Sequence, residues 1–239
     1  MVTVDARNDA RESALTQLGA LAAAHAGLGD LGAPLSNAEE ARSAAVLVLF
    51  GVLDSLPSDH VARSSAVSRE LDVLLLARAT TLRSHAGQIA FPGGRIDPED
   101  DGAIAAALRE AQEETGLDPE GIQVLGALEP VPLATSQHLV TPVLAWWAAP
   151  SPVYAVDQAE SAEVFRVPVA DLLDPANRVT TVLHRGVYVW RVPAFVLPPS
   201  SGGHLVWGFT AMVLDGLFNR LGWTEPWDAS RELMLPPRP

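Results

Sequence analysis

Three carboxylates, Glu110, Glu113 and Glu114, stand at positions i, i+3 and i+4 of one short stretch. On a helix advancing about 100° per residue they share an arc of about 100° on one face. Like charges held so close repel one another, which favours a cation among them. Hard cations such as Mg²⁺ take carboxylate and water oxygens and share their sphere with substrate phosphates. A cation at this place would activate a water and neutralise charge on a phosphoryl group. The same pattern also occurs on solvated helix faces, so the flanking residues carry weight. Gly93-Gly94 lies upstream and Gly116 closes the stretch. A glycine pair lets a loop approach the carboxylates without Cβ atoms.

The positioning elements follow from local pattern. A helix should begin near Asp100 or Asp101, either of which can cap it. Its apolar side would be Ile104, Ala107, Leu108 and Ala111, beside the glutamate face. Gly116 suits the left-handed residue that ends a helix. Arg109 is placed to pair with Asp100 or Asp101 and to fix the loop against the helix. The apolar runs Ala44–Leu53 and Leu71–Ala77 suit buried strands. Residues 54–70 and 79–101 read as loops. Further strands are expected at Ile122–Leu128, Val140–Trp147, Glu163–Val167 and Val187–Val196. A second long helix is expected over His204–Asn219, packed through Val206, Phe209, Val213, Leu214 and Leu217. Leu15, Leu18 and Leu21 recur at helical spacing within an N-terminal extension, residues 1–42. The main domain is expected over 43–222 and a C-terminal tail over 223–239. Strands interleaved with helices suggest an α/β sandwich around a mixed sheet.

The whole chain narrows the classes of function. Its 239 residues, 48% of them hydrophobic, suffice for one large domain with extensions. No apolar run reaches a membrane span. The N-terminus lacks the basic start and apolar stretch of a signal peptide, so a cytoplasmic location and no membrane partner are expected. There is no cysteine, which excludes disulfides and thiolate metal sites. The net charge is −13 and no basic cluster appears, so no nucleic-acid partner is expected. All sixteen basic residues are arginine, which excludes a lysine Schiff base or phosphate clamp. The apolar strands at 140–147 and 187–196 allow a homodimer.

The stretch Gly94…Arg109-Glu-Ala-Gln-Glu-Glu-Thr-Gly-Leu117 resembles the signature box of Nudix hydrolases. That box reads Gly, five residues, Glu, seven residues, then Arg-Glu-apolar-x-Glu-Glu-x-Gly-apolar. The match is specific from Arg109 to Leu117 and departs upstream. Fourteen residues separate Gly94 from Arg109 where the general box has thirteen, and Asp100 or Asp101 replaces its first Glu. A second element, Leu74-Leu-Leu-Ala-Arg78 through Arg83, Gly87 and Phe91-Pro-Gly-Gly94, is similar to one found upstream of the box in the coenzyme A pyrophosphatase branch. Only Leu76 departs, standing where that element has Thr. The longer gap and the Asp-Pro-x-Asp step at 97–100 also fit that branch, and Val206–Ala211 resembles the start of its C-terminal helix.

The resemblance implies a Nudix-type α/β/α sandwich and hydrolysis of a nucleoside diphosphate derivative with Mg²⁺ or Mn²⁺. The branch implies coenzyme A or acyl-CoA as substrate, cut to 3′,5′-ADP and 4′-phosphopantetheine. Carried over by position, Glu110 and Glu114 are the main metal ligands. Glu113 is a further ligand or the catalytic base. Glu160 and Glu163 are secondary candidates for a base supplied from outside the box. Arg109 and Gly116 are structural. Arg78, Arg83, His85, Gly93 and Gly94 are candidates for substrate contact. ADP-ribose and NADH are the rival substrates, and a binding module without turnover is the rival class.

Overall fold

The computed structural model describes residues 4–29, 31, 41–52, 57–81, 86–133, 136–185 and 188–235. In chain order the elements are α1 (Val4–Ala23), β1 (Arg42–Val52), β2 (Leu71–Arg78), β3 (Ile89–Ala90), β4 (Gly93–Arg95), α2 (Gly102–Thr115), β5 (Ile122–Ala127), β6 (Val131–Leu133) and β7 (His138–Trp147). They continue as β8 (Ser161–Pro168), α3 (Val169–Leu173), β9 (Arg178–Arg185), β10 (Tyr188–Val196), β11 (Leu205–Val206), α4 (Phe209–Arg220) and β12 (Glu232–Met234).

The larger sheet is mixed, with path β3-β2-β1-β7-β5 and with β4 on β1, β6 on β7 and β8 on β2. Among the described residues only β1 and β7 run parallel in it, from Arg42 opposite His138 to Phe50 opposite Trp146. Both central strands are buried on both faces, so they read as near-continuous apolar runs. Side chains of β1 alternate between two cores. Ala45, Leu47 and Leu49 join Ala106, Ala107 and Ala111 of α2 on one face. Val48 and Phe50 join α1, α3 and α4 on the other, through Leu18, Leu172 and Leu214 among others. Three layers result, α2, sheet, and the remaining helices. A four-stranded sheet, β11-β10-β9-β12, flanks the second core.

Several expectations need correction. The sandwich face of α2 is alanine: Ala106, Ala107 and Ala111 are fully buried, while Ile104 is 38% exposed. Small residues let the helix lie close to the sheet. Asp101 occupies the N-cap position without a side-chain cap bond. Residues 79–101 hold two short strands, β3 and β4. The helix expected from His204 begins at Phe209, because Leu205–Val206 pairs with β10 and Gly208 takes a left-handed φ of 67° at the N-cap. Strand β9 was not expected, although Val179, Thr180, Thr181 and Val182 are β-branched. The strand at 140–147 is central and buried, so it offers no surface to a partner. Residues 223–235 are no free tail. Trp223 is in the second core and its indole N–H bonds to Gln17. Glu225 is buried and accepts from the Arg63 amide beside His60. Buried Arg178 stacks between Phe195 and Trp227. Helix α1 likewise belongs to the second core through Ala14, Leu18 and Ala22. No described helix is long and apolar enough to cross a membrane.

Candidate active site

The site forms where β4 crosses the glutamate face of α2. Gly93 and Gly94 pair with Val46 and Ala45 of β1, which lays the glycine pair directly beside the helix. Gly93 has a φ of 152°, and a Cβ there would lie 2.3 Å from the carbonyl oxygen of Ala45. A Cβ on Gly94 would lie 2.5 Å from the carboxyl carbon of Glu110. Any other residue would displace that carboxylate from its place. The Gly93 N–H donates to Oε2 of Glu114 at 2.9 Å. One glycine therefore makes space for the first carboxylate, and the other binds the second.

The two carboxylates are raised above their ordinary range. Burial pushes Glu114 up to about 7, against the hydrogen bond from Gly93, with Glu110 and Glu160 adding repulsion and Arg78 opposing it. Burial also raises Glu110, against its hydrogen bond from Arg109. Such a pair is stabilised in its ionised form by added positive charge. Glu113 is different: its carboxylate is exposed at the rim and accepts from Arg109 Nη1 at 3.1 Å.

Arg109 is the clamp of the site. Its Nε and Nη2 donate to both oxygens of Asp100, each at 2.9 Å. Nη2 also donates to the Arg95 carbonyl, and Nη1 donates to Glu110 at 3.0 Å. This bidentate pair, with the Asp97 amide on Asp100, ties the loop after β4 to the helix. It holds Asp100 down to about 2 and raises Arg109 further. Asp100 is committed to Arg109 and lies one residue before the N-cap position, which Asp101 holds. At the other end Gly116 takes a left-handed φ of 67°, and its N–H bonds to the Gln112 carbonyl.

Arg78 and Glu160 reach the site from across the sheet. Arg78 bonds through its backbone to Gln88 and Gly87, and its Nε is buried with no hydrogen-bond partner. Its charge is felt at Glu114. The carbonyl of Glu160 accepts from Ala79, which brings that residue beside the end of β2. Glu163 is not brought to the group. It stands opposite Ala77, whose side chain lies in the second core, on the sheet face away from α2. Its carboxylate bonds instead to His204 Nε2 at 3.1 Å. Arg83 and His85 lie outside the described residues. The convergence of Arg78 and Glu160 on Glu114 had no signal in spacing, since the register of β2 with β8 creates it.

Among the described residues no three carboxylates or imidazoles converge on one point. The donor set is Glu110 with Glu114, all hard oxygens, with Glu113 at the rim. One or two carboxylates plus phosphate and water oxygens are what Mg²⁺ commonly takes. The pair, raised by burial and lined by a glycine cradle, fits such an ion.

The NUDIX domain model matches residues 59–186 of the chain. The chain is 40% identical over 153 residues to an uncharacterized Nudix hydrolase NudL of Cronobacter sakazakii, covering 64% of this chain and 77% of that protein. It is 38% identical over 145 residues to the NudL protein of Photorhabdus laumondii, covering 61% of this chain and 74% of that protein. Among solved structures it is similar to a Nudix hydrolase of M. smegmatis, RenU, with a TM-score of 0.43 and 27% identity, over 56% of this chain and 74% of that one. It is also similar to the NUDIX domain of Shewanella oneidensis NrtR, solved with ADP ribose, with a TM-score of 0.39 and 23% identity, over 56% and 76% of the two chains. By the family match and the identity to these relatives, the chain belongs to the Nudix family, whose hydrolases act on nucleoside diphosphate derivatives.

Proposed function

We propose that this Nudix hydrolase cleaves the pyrophosphate of coenzyme A or acyl-CoA, giving 3′,5′-ADP and (acyl-)4′-phosphopantetheine. The observation that carries the reading is the buried, unpartnered Nε of Arg78, whose charge acts on Glu114. Arg78 belongs to the upstream element that resembles the coenzyme A pyrophosphatase branch, and a buried guanidinium N–H without a partner suits a phosphate oxygen. Glu110 and Glu114 would hold Mg²⁺ or Mn²⁺, with Glu113 at the edge of the sphere. The ion supplies charge neutralisation at phosphate and a more acidic water. Water adds to one phosphorus of the diphosphate. The bridging P–O bond breaks, and the second phosphate leaves. The proton lost by water passes to a carboxylate. Glu160, which faces Glu114 electrostatically, is better supported in that role than Glu163, which bonds to His204.

Arg109, Asp100, Gly93, Gly94 and Gly116 are assigned positioning roles, since they shape the loop and helix without offering a free group. Arg83 and His85 are kept as candidate substrate contacts on the strength of the motif alone. A homodimer is supported by Trp190, Val196 and Leu233, which are partly exposed and share one face of the smaller sheet. Sedimentation of the chain and of Trp190→Glu tests it: loss of a dimer in the variant supports that face, and an unchanged dimer removes it.

The substrate is tested by incubating the protein and Mg²⁺ separately with CoA, acetyl-CoA, ADP-ribose and NADH, and identifying products by chromatography. The expected result is cleavage of CoA or acetyl-CoA at the pyrophosphate. Cleavage of ADP-ribose or NADH with CoA untouched would overturn the substrate. No cleavage of any would make the chain a binding module.

A further inference from the structure

A cleft of about 330 Å³ runs along the outer edge of β8, lined by Val153, Glu163, Val164, Phe165, Arg166 and the turn Ser200–Gly202. The backbone facing it follows from strand register. Arg78 gives its amide and carbonyl to the β3 side, through Gln88 and Gly87. Alternation then turns Ala77, Leu75 and Val73 toward β8, where they stand opposite Glu163, Phe165 and Val167. Val164 and Arg166 therefore point their N–H and C=O groups outward, into the cleft. Among the described residues no backbone group pairs with them; β8 pairs with β2 alone. An edge of this kind is a template for an added extended chain.

The opposite wall is built in advance. The Ser201 hydroxyl donates to Asp171, a buried carboxylate that also accepts from Ser58. The turn closes through Ser201 and Gly203 amides on the Pro198 carbonyl. His204 joins the two walls, bonding to Glu163 and stacking on Phe165 with centroids 4.8 Å apart. The near end of β8 is at the chemistry. Ser161 stands opposite Arg78, and Glu160 acts on Glu114. At about 3.3 Å per residue, Val164 and Arg166 lie about 10 and about 16 Å farther along.

We infer that this cleft is a subsite for an extended, amide-bearing chain on the non-nucleotide half of the substrate, which adds to the β8 edge as a short strand. The inference rests on the coenzyme A reading, in which that half is the pantetheine arm with its two amides. Each amide matches an outward N–H or C=O of Val164 or Arg166. An adenine ring would instead want a flat apolar face, and the aromatic ring lining the cleft, Phe165, already packs on His204.

Val164→Pro removes the outward N–H without touching the bonds to β2, which an edge strand tolerates. Ser200→Trp fills the cleft from the exposed turn. Loss of one such bond should lower kcat/KM for CoA about tenfold in Val164→Pro. Product inhibition by 4′-phosphopantetheine should weaken by a similar factor in both variants, and inhibition by 3′,5′-ADP should stay as in the parent chain. A CoA analogue whose two amides are replaced by methylenes should lose activity on the parent chain and little more on Val164→Pro. If CoA is cleaved and both variants match the parent, the subsite is wrong and the substrate reading stands. Should CoA not be cleaved by the parent chain, the substrate reading falls and takes the pantetheine assignment with it. If Val164→Pro changes sedimentation and not kinetics, the edge belongs to a second copy of the chain, and the inference is overturned.

Discussion

Glu114 is held in two opposing ways, by a hydrogen bond from Gly93 and by burial next to Glu110. Its folded pKa of about 7 lies above the ordinary 4.5, so the fold prefers its protonated form. The associated stability is fully present below about 4.5 and is lost as pH rises through about 7. Glu114→Gln keeps the acceptor for Gly93 and removes the charge. In metal-free protein at pH 8 it should raise stability, by at most about 3 kcal/mol, as read by denaturant midpoint. The same variant should lower turnover by about 100-fold or more. Asp100 runs the other way. Its pKa is depressed to about 2 by Arg109, so its stabilisation is present above about 4 and is lost as pH falls through about 2. Asp100→Asn should flatten the acid limb of the stability curve in that window, and an unchanged limb would remove the clamp from the account of stability. Gly94→Ala puts a methyl 2.5 Å from the Glu110 carboxyl carbon. It should cut turnover by about tenfold or more while leaving the circular dichroism unchanged. The glutamates, Gly94 and Arg109 were legible as a cluster because they lie close in sequence. Glu160 and Arg78 were legible only as separate candidates, since strand pairing brings them together.

Helix α2 shows where local pattern runs out. Its end was readable, because Gly116 is the one residue there free to take a left-handed φ without strain. Its buried side was misread at Ile104, which is 38% exposed. A helix pressed on a sheet of alanines and leucines is selected for closeness, and hydrophobic size alone does not reveal that. Ala107→Leu should therefore be destabilising by about 1–3 kcal/mol through overpacking. Thermal denaturation checks it, and a gain in Tm would show the interface to be loose. Of the two candidates for the cap, Asp101 takes the N-cap position without a side-chain bond, while Asp100 forms the bidentate ion pair with Arg109. Strand β8 supplies the opposite case: Glu163 sits in the right segment but on the wrong face, and a one-residue change of parity decides which.

At the scale of the whole molecule, helix α1 and the segment that follows α4 are part of the core. Trp223, 1% exposed, stacks on Phe218 with centroids 6.2 Å apart and bonds to Gln17 of α1. Trp223→Ala should cost about 3–5 kcal/mol, measurable by denaturant unfolding. A loss below about 1 kcal/mol would mean that the C-terminal segment is dispensable. The sandwich itself was readable from apolar runs and spacing. The smaller sheet was readable only at β10, because β9 was not expected and β12 is three residues long and far along the chain from its partner β9. The central claim, hydrolysis of a coenzyme A pyrophosphate at the Glu110–Glu114 pair, is tested most directly by turnover in ¹⁸O-labelled water with Mg²⁺. The expected result is one ¹⁸O atom in either 3′,5′-ADP or 4′-phosphopantetheine, formed about 100-fold or more slowly by Glu114→Gln. Intact CoA, or label found only in phosphate released from the 3′ position, would contradict it.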